Sequence, residues 1–256
     1  MKGIILEKPE ELCSDHYLLK IDSLSNISYP GQFVNIRISD QKDPLLRRPF
    51  SIHSHEKNII EIVFKVIGKG TLLLKDYTVD QEIDIIAPLG NGFTITEDKK
   101  TLLIGGGVGN APLYYLAKHL KIRNNYIHYL YGARTCDNIY LQKRYSDIVD
   151  RFDLSTDDGT AGIKGYITDI LPEILNDEYF DIIYICGPLI MMSRIIEILR
   201  KSDIKVEASI ERYFGCGVGF CYGCSVDTTM GLKRACIDGP VFDARVVNWD
   251  YLLGDL

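Results

Sequence analysis

The pattern of apolar residues changes once along the chain, between Glu97 and Lys100, and this change limits the folds available to it. Before that point, short β-branched and aromatic runs such as "QFVNIRIS" and "IIEIVFKVI" alternate with turn residues. After it, apolar runs such as "TLLIG" are followed by stretches with helical spacing, such as "APLYYLAKHLK". Many short strands predict a small antiparallel barrel. Alternating strands and helices predict a parallel sheet with helices on both faces.

The polar stretch "TEDKK" at this change predicts a domain boundary. We therefore expect an antiparallel β-barrel domain over 1–98 and an α/β parallel-sheet domain over 99–210. The last segment, 211–256, is rich in glycine and cysteine and has too little apolar content to fold without a staple. The predicted fold class is thus multidomain, with a third small domain at the C-terminal end.

Four of the seven cysteines lie in that last segment, with the spacing Cys216-x4-Cys221-x2-Cys224-x11-Cys236. Zinc sites favour cysteine pairs on two separate knuckles. The spacing found here is instead the plant-type pattern of a [2Fe–2S] cluster. The glycines between the cysteines allow backbone N–H groups to approach the sulfurs. The spacing favours iron–sulfur as the metal centre, and zinc remains the alternative.

Composition and charge argue against several other classes of protein. The N-terminal apolar run is broken by charged residues, so no signal peptide is expected. No run of about 18 apolar residues occurs, so no membrane insertion is expected and the predicted location is cytoplasmic. A reducing compartment argues against disulfides. The net charge of −6, with no stripe of basic residues, argues against nucleic-acid binding.

The glycine-rich stretch after "TLLI" is a candidate phosphate-binding turn. It reads Gly105-Gly106-Gly107-Val108-Gly109-Asn110 and opens a predicted helix, whose N-terminus attracts anions. A tight turn without a ligand explains the same residues almost as well. The acidic residue that marks NAD preference is missing from the end of the next strand, which carries Ala133 and Arg134 instead.

Two segments of the predicted barrel contain possible anion-binding groups. In "RRPFS", the Arg48 guanidinium can clamp a pyrophosphate, and the Ser51 hydroxyl can bond a flavin. "GKGT", Gly68 to Thr71, offers a second anion-binding turn. Ordinary loop chemistry explains each segment equally well.

Cys186 and Gly187 end a predicted parallel strand, where ligands bind in open α/β sheets. A buried structural thiol and a position beside a nicotinamide ring both remain open for Cys186. No Ser/His/Asp order or paired carboxylates stand out. We therefore expect no catalytic acid, base or nucleophile in this chain.

The order of these motifs resembles that of the ferredoxin–NADP reductase superfamily. "RRPFS", "GKGT", "PLGNGF", "GGGVGNAPL", "DDG", "CGP" and the cysteine cluster follow one another in that superfamily's order. The most specific stretch is "ERYFGCGVGFCYGC" with the later "KRACIDGPVFDARVV". It is similar to the electron-transfer subunits of dihydroorotate dehydrogenase B, and the resemblance covers essentially the whole chain.

The resemblance implies three cofactors and their ligands. FAD would lie on the barrel, held by Arg48, Pro49, Phe50, Ser51, Val63, Phe64, Lys65, Gly70 and Thr71. NAD would be framed by Gly105, Gly106, Gly107, Gly109, Asn110, Cys186, Gly187 and Pro188. A [2Fe–2S] cluster would be held by Cys216, Cys221, Cys224 and Cys236.

The resemblance also implies a partner and a reaction. An FMN-containing dihydroorotate dehydrogenase catalytic subunit would donate electrons within a heterotetramer of two plus two subunits. These would pass through the cluster and FAD to NAD, in pyrimidine biosynthesis. One alternative is a reductase subunit of a hydrogenase or of a ferredoxin:NAD(P) oxidoreductase complex. The non-enzyme alternative is a zinc-stabilised interaction protein.

Overall fold

The computed structural model describes residues 2–23 and 27–254. The strands are β1 (Lys2–Ile5), β2 (Glu10–Cys13), β3 (His16–Asp22), β4 (Phe33–Arg37), β5 (Arg48–Glu56), β6 (Ile59–Lys65), β7 (Glu82–Leu89), β8 (Lys100–Gly106), β9 (Tyr126–Ala133), β10 (Arg151–Thr156), β11 (Ile163–Lys164), β12 (Ile182–Cys186), β13 (Lys205–Ser209), β14 (Ser225–Val226), β15 (Lys233–Arg234) and β16 (Val241–Asp243). The helices are α1 (Lys69–Leu74), α2 (Asn110–Ile122), α3 (Gln142–Ser146), α4 (Ile167–Asp177), α5 (Leu189–Ile198) and α6 (Trp249–Gly254).

The first seven strands form an antiparallel sheet in the order β1-β7-β4-β5-β6-β3-β2. Pairing of β1 with β3 closes six of them into a barrel, with β2 as an extra edge strand. The alternation of apolar residues sends Val34 and Ile36 of β4 into the barrel core. The predicted barrel is confirmed.

A second seven-stranded sheet has the order β11-β10-β9-β8-β12-β13-β16. All its pairings are parallel except that of β16. Apolar residues of α2 pack on one face, and those of α4 and α5 pack on the other. The predicted parallel sheet with helices on both faces is confirmed. Since β9 and β10 lie on one side of β8 and β12 on the other, the topological switch point falls between β8 and β12.

The C-terminal segment is joined to this second sheet. Its strand β16 pairs antiparallel with β13, with Phe242 opposite Ala208. A small hairpin of β14 and β15 precedes it, and α6 follows. Within the described part of the chain, no helix is both long and apolar enough to cross a lipid bilayer.

A glycine loop of the barrel holds the same C-terminal segment. The backbone N–H of Asn91 donates to the Gly239 carbonyl at 2.6 Å. The Asn91 side-chain amide donates to the carbonyls of Ile237, at 2.8 Å, and Asp238, at 3.2 Å. A Cβ on Gly90, whose φ is +74°, would lie 2.6 Å from Pro240. The loop therefore depends on glycine to bring the barrel and the C-terminal segment together.

Phe242→Ala is expected to destabilise the protein by about 3–5 kcal/mol, because it removes a buried aromatic ring that attaches the C-terminal segment to the sheet. Denaturant unfolding followed by circular dichroism measures the change. Tyr251→Ala, at a half-exposed position of α6, is the control and should stay within about 0.5 kcal/mol of the parent. Equal effects of the two substitutions would contradict the described packing.

Candidate functional site

The four cysteines of the C-terminal segment gather in one place. Cys216 and Cys221 are one neighbouring pair, Cys224 and Cys236 are another, and Cys216 is also close enough to Cys236 to act on its charge. Four gathered thiols fit a [2Fe–2S] cluster, which takes four cysteine ligands.

Backbone N–H groups point at the sulfurs of the first pair. The Cys216 sulfur accepts from the N–H of Val218, at 3.5 Å, and of Phe220, at 3.3 Å. The Cys221 sulfur accepts from the N–H of Cys216, at 3.3 Å, and of Gly223, at 3.5 Å. Burial acts to raise the pKa of the Cys216 thiol, but these backbone donors and Cys221 outweigh it and lower the pKa to about 6. The loop thus favours thiolate, the form that binds metal.

Two glycines of the cysteine loop have the left-handed backbone conformation, Gly217 with φ +71° and Gly219 with φ +89°. A Cβ on Gly217 would lie 2.3 Å from the side-chain nitrogen of Asn35 on the barrel strand β4. A Cβ on Gly219 would lie 1.8 Å from Ile237. The loop therefore needs glycine both for its turns and for its close approach to the barrel.

The two predicted anion-binding segments of the barrel lie side by side. The Nε of Arg48 would be 3.0 Å from a Cβ on Gly70. "GKGT" is the first turn of the short helix α1 and not a free loop turn. The Thr71 hydroxyl accepts from the N–H groups of Ile67 and Gly68, which fixes that turn. Sequence reasoning treated these segments separately, and the fold brings the guanidinium beside the helix start.

The other predicted flavin contacts differ in what they can offer. Phe50 and Phe64 are buried in the barrel core, and Val63 is buried between the barrel and α2. The side chains of these three residues therefore belong to the core. Pro49, Ser51 and Lys65 are half-buried on the barrel surface. The neighbouring Arg47 forms an ion pair with Asp84.

At the switch point, the glycine turn and the "CGP" turn are in direct contact. A Cβ on Gly109 would lie 2.5 Å from the Cys186 carbonyl oxygen. A Cβ on Gly106 would lie 3.0 Å from Pro188 and 2.6 Å from the sulfur of Met191. The fold thus gathers the predicted nucleotide residues at the crevice where α/β sheets bind ligands.

Asn110 has a structural part in this crevice. Its side chain is fully buried, donates to the Gly107 carbonyl at 2.9 Å and accepts from the Tyr129 hydroxyl at 3.0 Å. A Cβ on Gly105 would lie 2.0 Å from the Asn110 oxygen. Asn110 therefore fixes the shape of the glycine turn through these buried contacts.

Two acidic residues at this edge of the sheet escaped the sequence reasoning. Glu211 is an exposed residue just beyond β13, close enough to Cys186 to act on its charge. Burial, with Glu211 adding to it, raises the pKa of the Cys186 thiol to about 12. The thiol is therefore protonated at neutral pH. The sequence signal for Glu211 is its place two residues after the last parallel strand.

The second acidic residue, Asp157, follows β10. Thr156 of β10 pairs with Ala133 of β9, and the Asp157 N–H donates to the Ala133 carbonyl at 3.1 Å. Asp157 thus lies next to Arg134, which stands at the position where the acidic residue that marks NAD preference was expected. Burial raises the pKa of Asp157, and the Arg134 charge acts against this. The "DDG" motif is the sequence signal for Asp157, and it follows the strand after the one at whose end the acidic residue was expected.

Comparison with known families matches two segments. Residues 211–248 match the iron–sulfur cluster binding domain of dihydroorotate dehydrogenase B. Residues 103–196 match the oxidoreductase NAD-binding domain. These matches confirm the predicted iron–sulfur and NAD cofactors.

Curated relatives cover nearly the whole chain. One is the dihydroorotate dehydrogenase B (NAD(+)) electron transfer subunit of Clostridium perfringens, 36% identical over 97% of this chain and 98% of the relative. Another is the protein of the same name from Desulforamulus reducens, 35% identical over 91% of this chain and 93% of the relative.

Solved structures share the fold. A chain of the NADH-dependent reduced ferredoxin–NADP oxidoreductase, from work on flavin-based electron bifurcation, superposes with a TM-score of 0.88 at 33% identity, covering 98% of this chain and 91% of that chain. The Amycolatopsis cytochrome P450 reductase GcoB superposes with a TM-score of 0.69 at 19% identity, covering 80% of this chain and 67% of that chain. The second likeness is one of fold alone.

Gly217→Ala is expected to destabilise the protein by more than about 1 kcal/mol and to lower its iron and sulfide content, because the added Cβ meets Asn35 in a left-handed conformation. Gly231→Ala is the matched control, since its φ is +88° but nothing lies within 4 Å of the added Cβ. Equal iron loss in both variants would contradict the close approach of the loop to the barrel.

Proposed function

We propose that this chain, which belongs to the family of dihydroorotate dehydrogenase B electron transfer subunits, passes electrons to NAD from an FMN-containing catalytic subunit. That subunit would oxidise dihydroorotate. The path would run through a [2Fe–2S] cluster and FAD, in pyrimidine biosynthesis. FAD suits this junction because it handles both one-electron and hydride chemistry. The observation that carries the proposal is the packing of the Cys216–Gly217 loop against β4, the strand paired with the "RRPFS" strand β5.

The residues on the barrel surface suit the parts of FAD. Arg48 beside Gly70 would hold the negatively charged diphosphate, with a guanidinium that can bond two oxygens at once. Ser51 and Pro49 would contact the flavin ring system from the outer side of β5. Phe50, Val63 and Phe64 would contribute backbone, and Lys65 a half-exposed charge. Thr71 would act by fixing the α1 turn.

The NAD site would lie at the switch point. Gly105, Gly106, Gly107 and Gly109 would give the backbone room to approach the dinucleotide, with Asn110 bracing the turn. Cys186, Gly187 and Pro188 would form the opposite wall. The protonated Cys186 would act as a neutral neighbour of the nicotinamide and not as a nucleophile. No catalytic acid or base is assigned, and the chain's part is to position the reactants.

The partner would dock over the cysteine loop. Phe220, 87% exposed, and the exposed Tyr222 flank the exposed Cys221. Phe214, in contrast, packs inward against Phe33, with ring centroids 5.0 Å apart. Exposed apolar groups beside a redox site mark an interface. We assign the loop to contact with the catalytic subunit, in a heterotetramer of two plus two subunits located in the cytoplasm.

The three predicted domains would divide this work: 1–98 for FAD, 99–210 for NAD and 211–256 for the cluster. The C-terminal segment would also stabilise the NAD-binding domain, since β16 extends the parallel sheet of that domain.

A second candidate function is supported by one likeness. The 33% identity to a chain of the NADH-dependent reduced ferredoxin–NADP oxidoreductase suits a reductase subunit of a ferredoxin-linked complex. The two candidates differ in the electron donor, which an assay can decide.

The deciding experiment is co-expression with the dihydroorotate dehydrogenase catalytic subunit, followed by an assay of dihydroorotate-dependent NAD reduction. We expect the two chains to co-purify and to reduce NAD. Cys221→Ser should abolish this reduction, whereas Cys136→Ser, at an exposed cysteine outside the cluster, should leave it intact. Failure of the chains to associate, or equal NAD reduction by the catalytic subunit alone, would reject the proposal. Activity only with reduced ferredoxin would favour the second candidate.

Asp157→Asn is expected to lower the preference for NAD over NADP, measured as the ratio of kcat/KM values, by roughly tenfold. A carboxylate here would accept a hydrogen bond from the ribose 2′-hydroxyl of NAD and repel the 2′-phosphate of NADP. Asp158→Asn is the matched control, because its carboxylate is already bonded to Thr160. An unchanged ratio in the Asp157 variant would remove this residue from the NAD site.

A further inference from the structure

We propose that Asn35 is a positioning residue shared by the two redox sites, which fixes the Cys216–Gly217 peptide against the strand that carries the flavin motif. The inference rests on the proposed function, since it needs both a flavin and a cluster. It concerns electron exchange between the two groups.

Asn35 lies between the flavin strand and the cysteine loop. On β4 its neighbours Val34 and Ile36 point into the barrel core, so Asn35 points to the outer face. In the β4–β5 pair it lies opposite Pro49. Side chains of directly opposed residues share one face of a sheet. Asn35 and Pro49 therefore lie side by side on the outer face.

The Asn35 amide contacts the cysteine loop directly. Its side-chain nitrogen donates to the carbonyl oxygen of Cys216 at 3.4 Å. The same nitrogen would be 2.3 Å from a Cβ on Gly217. The contact joins a predicted cluster ligand to the barrel through one side chain.

The other end of the Asn35 amide has no partner. The residue is 1% exposed, and its carbonyl oxygen accepts no hydrogen bond from the described residues. A leucine of similar shape would avoid the cost of this buried polar atom. The opposing Pro49 has no N–H to offer. We assign the oxygen to a hydrogen-bond donor of the bound flavin, which leaves Asn35 in contact with both groups.

The step that Asn35 serves can be isolated in the chain without its partner. Bound FAD would accept a hydride, with two electrons, from NADH, and a bound [2Fe–2S] cluster would accept one of these electrons from the flavin. Hydride transfer does not involve the cysteine loop, so the two phases separate the role of Asn35 from general damage.

The test uses the Asn35→Leu variant of the full chain, loaded with FAD and cluster, mixed anaerobically with NADH. Stopped-flow absorbance follows flavin bleaching, and freeze-quenched electron paramagnetic resonance follows cluster reduction. We expect the rate of cluster reduction, taken relative to the rate of flavin bleaching in the same variant, to fall about tenfold or more, as displacement of reacting groups predicts. The oxidised flavin spectrum should also shift, because a hydrogen bond is lost. Unchanged cluster reduction would overturn the inference.

Asn91→Leu is the matched control. Asn91 also holds the C-terminal segment through its side-chain amide, but from the loop after β7 and at Ile237 and Asp238. If cluster reduction is slowed equally in both variants, Asn35 only attaches the C-terminal segment to the barrel, and the proposal is contradicted. If Asn35→Leu loses its cluster, Asn35→Ala replaces it, since it removes the amide without adding bulk or charge beside the cysteine loop. Cluster reduction at the parental rate in Asn35→Ala would equally overturn the inference.

The outcome is separable from that of the proposed function. The test needs NADH but no dihydroorotate and no catalytic subunit. Failure of the reconstituted pair would reject the proposed electron donor while leaving the Asn35 result valid.

Discussion

The backbone pairing of Asn91 with Gly239 and Pro240 is the contact on which the rest of the site depends. It holds the segment that follows Cys236 onto the barrel, and β16 then carries the same segment into the parallel sheet. Cys236 is buried directly before this clamp, which fixes one side of the cysteine centre. The other side, at Cys216, rests on β4. A flexible tail could carry the same four thiols, but it could not keep them at one distance from the flavin strand.

The features that sequence reasoning found are local ones. The cysteine spacing, the glycine turn and the "RPFS" stretch each lie within one short segment of the chain. Their chemistry can therefore be inferred from the sequence alone. The two periodicities likewise depend on neighbours in the chain, which explains why barrel and parallel sheet were both predicted. The same locality made the nucleotide crevice predictable, because parallel strands end at one edge.

The features that escaped depend on contacts between distant parts of the chain. Asp157 became a candidate only when the register of β10 on β9 placed it beside Arg134. Asn35 is an ordinary strand residue until the cysteine loop, nearly 200 residues later, is packed on it. "GKGT" was read as a turn because a helix of six residues has little periodicity of its own.

The flavin and the cluster would lie next to each other on the outer face of β4 and β5. The most direct measurement is electron paramagnetic resonance of the FAD- and cluster-loaded chain, reduced with NADH until flavin radical and reduced cluster coexist. The account predicts that the flavin radical signal is broadened and relaxes faster when the cluster is reduced than when it is oxidised. A radical signal that is the same in both states of the cluster would place the two groups too far apart and contradict the account.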